Sequence, residues 1–162
     1  MNKIKITCDS TCDLTKELYE AYGVEVVPLG ITLGEALYLD SVDITTQKVF
    51  DYVSETGELP KTSAISVVTY EEVFRKYVSE GYSVVHINIS SEFSACHQHA
   101  RLAAEEVGNV YPIDSRNLSS GSGHLVLAAA EMAKSGMTAA EIADKLNEIK
   151  EKLEKEKNVH VI

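Results

Sequence analysis

Basic residues are scarce in this chain. Its 162 residues carry 15 Lys and Arg against 25 Asp and Glu, a formal net charge of −10. Nonspecific nucleic-acid binding and adsorption to anionic membranes both rest on clustered Lys and Arg, so neither is expected. The one dense lysine run, residues 150–157, alternates with Glu, the pattern of a solvated helix face. Cysteine is scarce too. Cys8, Cys12 and Cys96 are odd in number, and Cys8 and Cys12 lack C-x-x-C spacing, which argues against a disulfide framework. No stretch approaches the roughly 18 uninterrupted apolar residues of a membrane span, so no stable membrane insertion is expected. The opening residues Met1 to Lys5 lack the apolar region of a signal peptide, and the chain reads as cytoplasmic. Low-complexity tracts and internal repeats are absent, so the length fits one domain, or one domain plus a fragment of another. Missing motifs narrow the chemistry. There is no G-x-S-x-G elbow, no G-x-x-x-x-G-K-[ST] loop, and no G-x-G-x-x-G after the first apolar run.

What is present is an ordinary 44% hydrophobic content with a clear alternation of periods. Residues 3–8 alternate as a strand. Asp13 or Thr15 can cap a helix through Tyr22, which Gly23 ends. Residues 24–33 read as a buried strand with a break at Pro28, and residues 37–39 as a short return strand. Val49, Phe50 and Val53 mark a helix over 45–56, closed by Gly57. Residues 59–66 read as a loop. Tyr70, Val73, Phe74 and Tyr77 stripe the next helix, which Gly81 ends. A strand at 84–89, a helix at 94–107, a strand at 110–113 and an Ala-rich helix at 118–135 follow. A last helix spans 139–157, and residues 159–162 begin another strand. This order predicts an α/β fold, a three-layer α/β/α arrangement around a mostly parallel sheet.

Three strands run into the same chemistry. The first ends at Asp9-Ser10-Thr11, the second at Ser90-Ser91, and the third at Asp114-Ser115. Ligands of open parallel sheets bind beyond the carboxyl ends of the strands, beside helix N-termini. Asp9, Ser10, Asp114 and Ser115 are therefore strand-end site candidates. Each also suits an ordinary helix N-cap.

Five stretches resemble one family. Ile6-Thr7-Cys8-Asp9-Ser10-Thr11-Cys12-Asp13-Leu14 resembles I-x-x-D-S-T-x-D-L. Val26-Val27-Pro28-Leu29 with Tyr38-Leu39-Asp40 resembles a second motif, and Thr62-Ser63-Ala64-Ile65-Ser66 resembles T-S-Q-P-S. The run from Ile89 to Ala100 resembles I-S-S-x-L-S-G-T-Y-Q-S-A, and the run from Asp114 to Gly123 fits D-S-x-x-x-S-x-G-x-G. In this order they resemble the N-terminal half of a DegV-family protein. The resemblance implies an α/β domain over residues 1–157, with 158–162 starting a strand towards a second domain. It also implies a non-catalytic carrier that buries a long-chain fatty acid and hands it to an ATP-dependent fatty-acid kinase subunit. No cofactor and no metal are implied. Thr62 and Ser94 match the hydroxyls that hold the carboxylate, with Ser63 and Ser91 beside them as weaker candidates. An Arg and a His would come from the second domain.

Physical chemistry agrees with such a role. Neutral hydroxyls and helix N-terminal N–H groups can hold a carboxylate with little net charge. An acyl tail contributes about 0.8 kcal/mol per buried CH₂. Phe93, Ile65, Val67 and Leu125 are candidate lining residues. The chain departs from the family pattern at Ala95-Cys96-His97, which stands where Gly-Thr-Tyr is usual, and at Ala64-Ile65, which replaces Gln-Pro. Ala95 adds a methyl close to a ligand path, and Cys96 is a weaker donor than a hydroxyl.

Three rivals remain. Ser94 and His97, three apart on a predicted helix, could pair as a nucleophile and base, although no orienting acid or oxyanion hole accompanies them. His97 and His99 are spaced poorly for one metal. A phosphoryl-carrier or small-phosphate-binding role is the alternative by analogy of fold. Gly121 and Gly123 are read as sites of close helix packing.

Overall fold

The computed structural model describes residues 3–40, 42–117 and 120–160. β1 (Lys3–Asp9) opens the described chain and a single 3-10 turn, Ser10–Cys12, follows. α1 (Lys16–Tyr22) starts at Thr15, whose hydroxyl accepts the Leu18 N–H at 3.2 Å. It stops at Gly23, left-handed at φ 64°. Pro28 splits the next apolar stretch, and β2 (Glu25–Val27) and β3 (Gly30–Leu33) belong to different sheets. A proline has no N–H with which to continue a ladder. β4 (Ala36–Leu39), α2 (Thr46–Thr56), β5 (Lys61–Ser63) and α3 (Val67–Ser79) come next. β6 (Tyr82–Asn88), α4 (Cys96–Val107), β7 (Val110–Asp114), α5 (Ser120–Lys134) and α6 (Ala139–His160) complete the order.

The main sheet is fully parallel, ordered β2-β1-β6-β7. A small antiparallel sheet, β4-β3-β5, stands beside it. Period-2 alternation assigns the faces of the main sheet. Ile6, Cys8, Val85, Ile87 and Ile113 cluster with Leu125, Val126 and Ala129 of α5 and with Ile142 and Leu146 of α6. Val27, Val84 and Val110 cluster with Tyr70 and Phe74 of α3 and with Ala100 and Ala103 of α4. The sheet thus lies between two helical layers. Gly123 lets α5 press on the turn after β1. A Cβ there would stand 2.8 Å from the Cys12 carbonyl oxygen and 2.9 Å from Leu14 Cδ2. At Gly121 a Cβ would stand 2.5 Å from Asn117 Cγ. Both glycines therefore serve the close packing expected of them.

The structure corrects the reading at several ends. Residues 59–66 are not all loop, because Thr62 pairs with Ile31 in β5. That strand is three exposed polar residues, so it shows no core-facing alternation. α4 begins at Cys96, not Ser94, because the chain after β6 first turns through a bond from Phe93 N to Ser90 O at 3.0 Å. α6 runs through His160, so Val159 and His160 are helical where a strand was expected. The Lys/Glu-rich run before them has high helix propensity and carries the helix on. Leu118 and Ser119, expected to open α5, lie outside the described residues, as do Val161 and Ile162. Among the described residues, no helix is long and apolar enough to cross a membrane.

Candidate functional site

β1, β6 and β7 are neighbours and parallel, so their carboxyl ends do share one edge. The residues there divide into a sealed network and an open cleft. Asp9 is fully buried and does not cap the turn that follows it. Its Oδ1 accepts from Tyr70 Oη at 2.6 Å and His86 Nε2 at 2.9 Å. Its Oδ2 accepts from Ile89 N at 2.9 Å and Asn88 Nδ2 at 3.1 Å. Burial alone would raise the Asp9 pKa. The His86 ring, the Tyr70 hydroxyl and the Ile89 N–H outweigh it and hold the carboxyl below its ordinary value. Thr7 Oγ1 lies 2.6 Å from His86 Nδ1 and closes the network from below. Thr7, Asp9, His86 and Asn88 share the sheet face under α3 and α4 because they alternate with the apolar residues facing α5 and α6.

Ser10 is also committed internally. It accepts from Leu29 N at 3.1 Å and donates to Asp40 Oδ2 at 2.7 Å, pinning the end of β1 to the start of the small sheet. Ser115 is fully buried and bonded to Asn117 and Ser122. Asp9 and Ser115 therefore present no surface to a ligand, which corrects their reading as strand-end site residues. Asp114 is half-buried. It accepts from Ser91 Oγ at 2.6 Å, Ser91 N at 3.2 Å and Arg116 N at 3.0 Å. Its pKa is held below the ordinary value, burial being outweighed by these donors.

Ser91, Phe93, Ser94, His97, Arg101 and Asp114 border an open cleft of about 780 Å³ at this edge. Ser94 Oγ accepts from Cys96 N and donates to Cys96 Sγ, each at 3.2 Å. The same sulfur accepts from Ile65 N at 3.4 Å. His99 Nδ1 donates to the Ile65 carbonyl at 2.7 Å. Ile65, just after β5, is thus fastened twice to the first turns of α4, and the Thr62-Ser63 and Ser94 segments are held together. Thr62 and Ser63 are exposed, and their hydroxyls have no hydrogen bond among the described residues. As strand neighbours they point to opposite faces. Neither borders the cleft that contains Ser94.

His97 does not meet Ser94. Its Nδ1 donates to Asn88 Oδ1 at 3.0 Å, because the Asn88 amide nitrogen is already turned to Asp9 and Tyr70. A hydrogen-bonded path therefore runs from buried Asp9 through Asn88 to the cleft. Burial, with Arg101 and Lys150 nearby, lowers the His97 pKa despite Asp114, so the ring is neutral at pH 7. His97 and His99 have different partners. Among the described residues, no group of three or more His, Cys, Asp or Glu could hold a metal ion. Of the four candidate lining residues only Phe93, 62% exposed, borders the cleft. Ile65 and Leu125 are buried in separate core clusters, with Val67 packed against that of Ile65. Arg101 was missed in the sequence. The signal was its position one turn after His97.

The family model described as "Uncharacterised protein, DegV family" matches residues 3–155. This chain belongs to the DegV family. A DegV domain-containing protein from Clostridium perfringens is 39% identical over 150 residues, covering 91% of this chain and 54% of that protein. The solved DegV family protein from Thermus thermophilus, described by its fatty-acid binding, is 34% identical with a TM-score of 0.85. That match covers 92% of this chain and 54% of that one. A stearic-acid-binding protein from Eubacterium ventriosum is 34% identical with a TM-score of 0.81, over 91% of this chain and 52% of its own. This DegV chain spans about half the length of the relatives it matches.

Proposed function

We propose that this DegV domain is the head-group half of a fatty-acid carrier. It shelters part of a long acyl chain and holds the carboxylate through the Thr62 and Ser94 hydroxyls. It presents the acid to a separate ATP-dependent fatty-acid kinase subunit and performs no catalysis itself. Ser63 and Ser91 are secondary positions, Ser91 because its proton is already given to Asp114.

The observation that carries this reading is the N-terminus of α4. Ala95 offers no capping side chain there. The His97 and Gln98 amides have no protein acceptor among the described residues. These amides sit next to the Ser94 hydroxyl, and His97 and Gln98 both border the cleft. Orphan N–H groups and the positive end of the helix dipole suit a carboxylate. Exposed Phe93 supplies apolar surface beside them. The DegV relatives from Thermus thermophilus and Eubacterium ventriosum supply the ligand class, a fatty acid.

A Thr62→Ala, Ser94→Ala double variant tests the assignment by displacement of a fluorescent fatty acid. The expected result is affinity lower by tenfold or more, about 1.4 kcal/mol, with an unchanged thermal melt. Undiminished affinity would remove these hydroxyls from the site. Mixing loaded protein with ATP and the kinase subunit tests presentation, and failure to form an acyl phosphate would exclude it.

A further inference from the structure

We propose that a second cleft, between α4, β7 and α6, binds a phosphoryl oxyanion through Arg101 and Lys150, with His97 at its wall. The groove adjoins the cleft of the fatty-acid reading and shares His97, Arg101 and Asp114 with it, but the proposal does not rest on that reading. β7 is an edge strand of the main sheet, and the groove beside it has a volume of about 430 Å³. Residues bordering it include His97 and Arg101 of α4, Pro112 and Asp114 of β7, and Lys150 of α6. Pro112 has no N–H, which makes this edge a poor template for another strand.

Lys150 is the decisive residue. It is only 8% exposed and borders the groove, yet it makes no hydrogen bond or ion pair with any described residue. Its stem is buried while its ammonium opens to the groove, where an anion would supply the ion pair that the described residues do not. Arg101 likewise has no ion pair among the described residues. The remaining charges at this end are largely matched. Arg116 pairs with Glu154 at 3.0 Å, and both Asp114 oxygens are filled by neutral donors. Two unpaired cations facing one groove stand out in a chain with 25 acidic residues. Glu105 and Asp114 also border the groove, so binding there relies on directed donors more than on net charge.

A phosphoryl group offers at least three acceptor oxygens. The Arg101 fork and the three donors of the Lys150 ammonium suit such a ligand better than they suit a two-oxygen carboxylate. The groove is larger than phosphate alone needs, which leaves room for the organic part of a phosphate monoester. Burial and Arg116 lower the Lys150 pKa against the opposing pull of Asp114, Glu154 and Glu151, and a bound anion would add to that pull.

Calorimetric titration of the full chain at low ionic strength tests this, using inorganic phosphate, glycerol 3-phosphate and acetate. The expected result is saturable phosphoryl binding with a Kd near or below about 1 mM, and acetate binding at least tenfold weaker. Glycerol 3-phosphate binding more tightly than phosphate identifies the monoester as the source, and equal binding identifies free phosphate. Lys150→Met and Arg101→Gln are each expected to weaken phosphoryl binding about tenfold or more. Arg101 is exposed, so its variant carries no folding risk. Arg75→Gln, whose cation is paired with Glu71, serves as the unaffected control. No saturable phosphoryl binding, or binding that survives both substitutions, overturns the proposal.

Discussion

Replacing Asp9 by Asn probes the sealed network that supports the site. The substitution keeps the shape and removes the charge. Four donors converge on the two Asp9 oxygens, two on each. An Asn has one carbonyl oxygen, so either Tyr70 and His86 or Asn88 and Ile89 must face an NH₂ group that cannot accept. All of these groups are buried, and no water can replace the lost bonds. Each unsatisfied buried donor costs about 1–3 kcal/mol, so the two left without an acceptor cost about 3–5 kcal/mol together. With a urea m-value of about 2 kcal/mol/M, the midpoint is expected to fall by about 1.5–2.5 M. The assay is urea unfolding followed by circular dichroism. The pH dependence gives a second reading. The folded Asp9 pKa lies below its unfolded value, so the unfolded chain binds more protons between the two. The Asp9 contribution is complete above about pH 4 and is lost as pH falls through the folded value. The gap between wild type and variant is therefore expected to narrow under acid. A wild-type midpoint in the variant would refute the account of a fully committed carboxylate. So would a gap that stays constant as the pH is lowered.

Gly123→Ala is expected to destabilise the domain by about 1–3 kcal/mol, since the added methyl meets the Cys12 carbonyl, which is backbone and cannot rotate away. Differential scanning calorimetry would register this as a lower Tm, and an unchanged Tm would show that α5 can shift. Phe93→Ala is expected to leave stability within about 0.5 kcal/mol because the ring is mostly exposed. The same variant should weaken fatty-acid binding, and unchanged affinity would show that the acyl chain takes another path.

Much of the fold was legible in the sequence because its period changes are clear. The alternation in β1 and β6, the stripe of Tyr70, Phe74 and Tyr77, and Thr15, Gly23 and Gly57 at helix ends are local signals with local causes. β5 was not legible, since three exposed polar residues become a strand only when β3 offers a partner. The start of α4 was missed because the chain first turns between Ser90 and Phe93, and the distant Ile65 then bonds to Cys96 Sγ at the helix start. The sequence by itself determined that three polar strand ends would share one edge and that Thr62 and Ser94 lie in motif positions. Only the tertiary structure decided which of those polar groups stay open. Asp9 and Ser115 sank into internal networks, while Ser94, Arg101 and Lys150 came to border clefts. Burial and hydrogen-bond partners depend on residues distant along the chain, such as Asp9 with His86 and Asn88, and no local pattern encodes them.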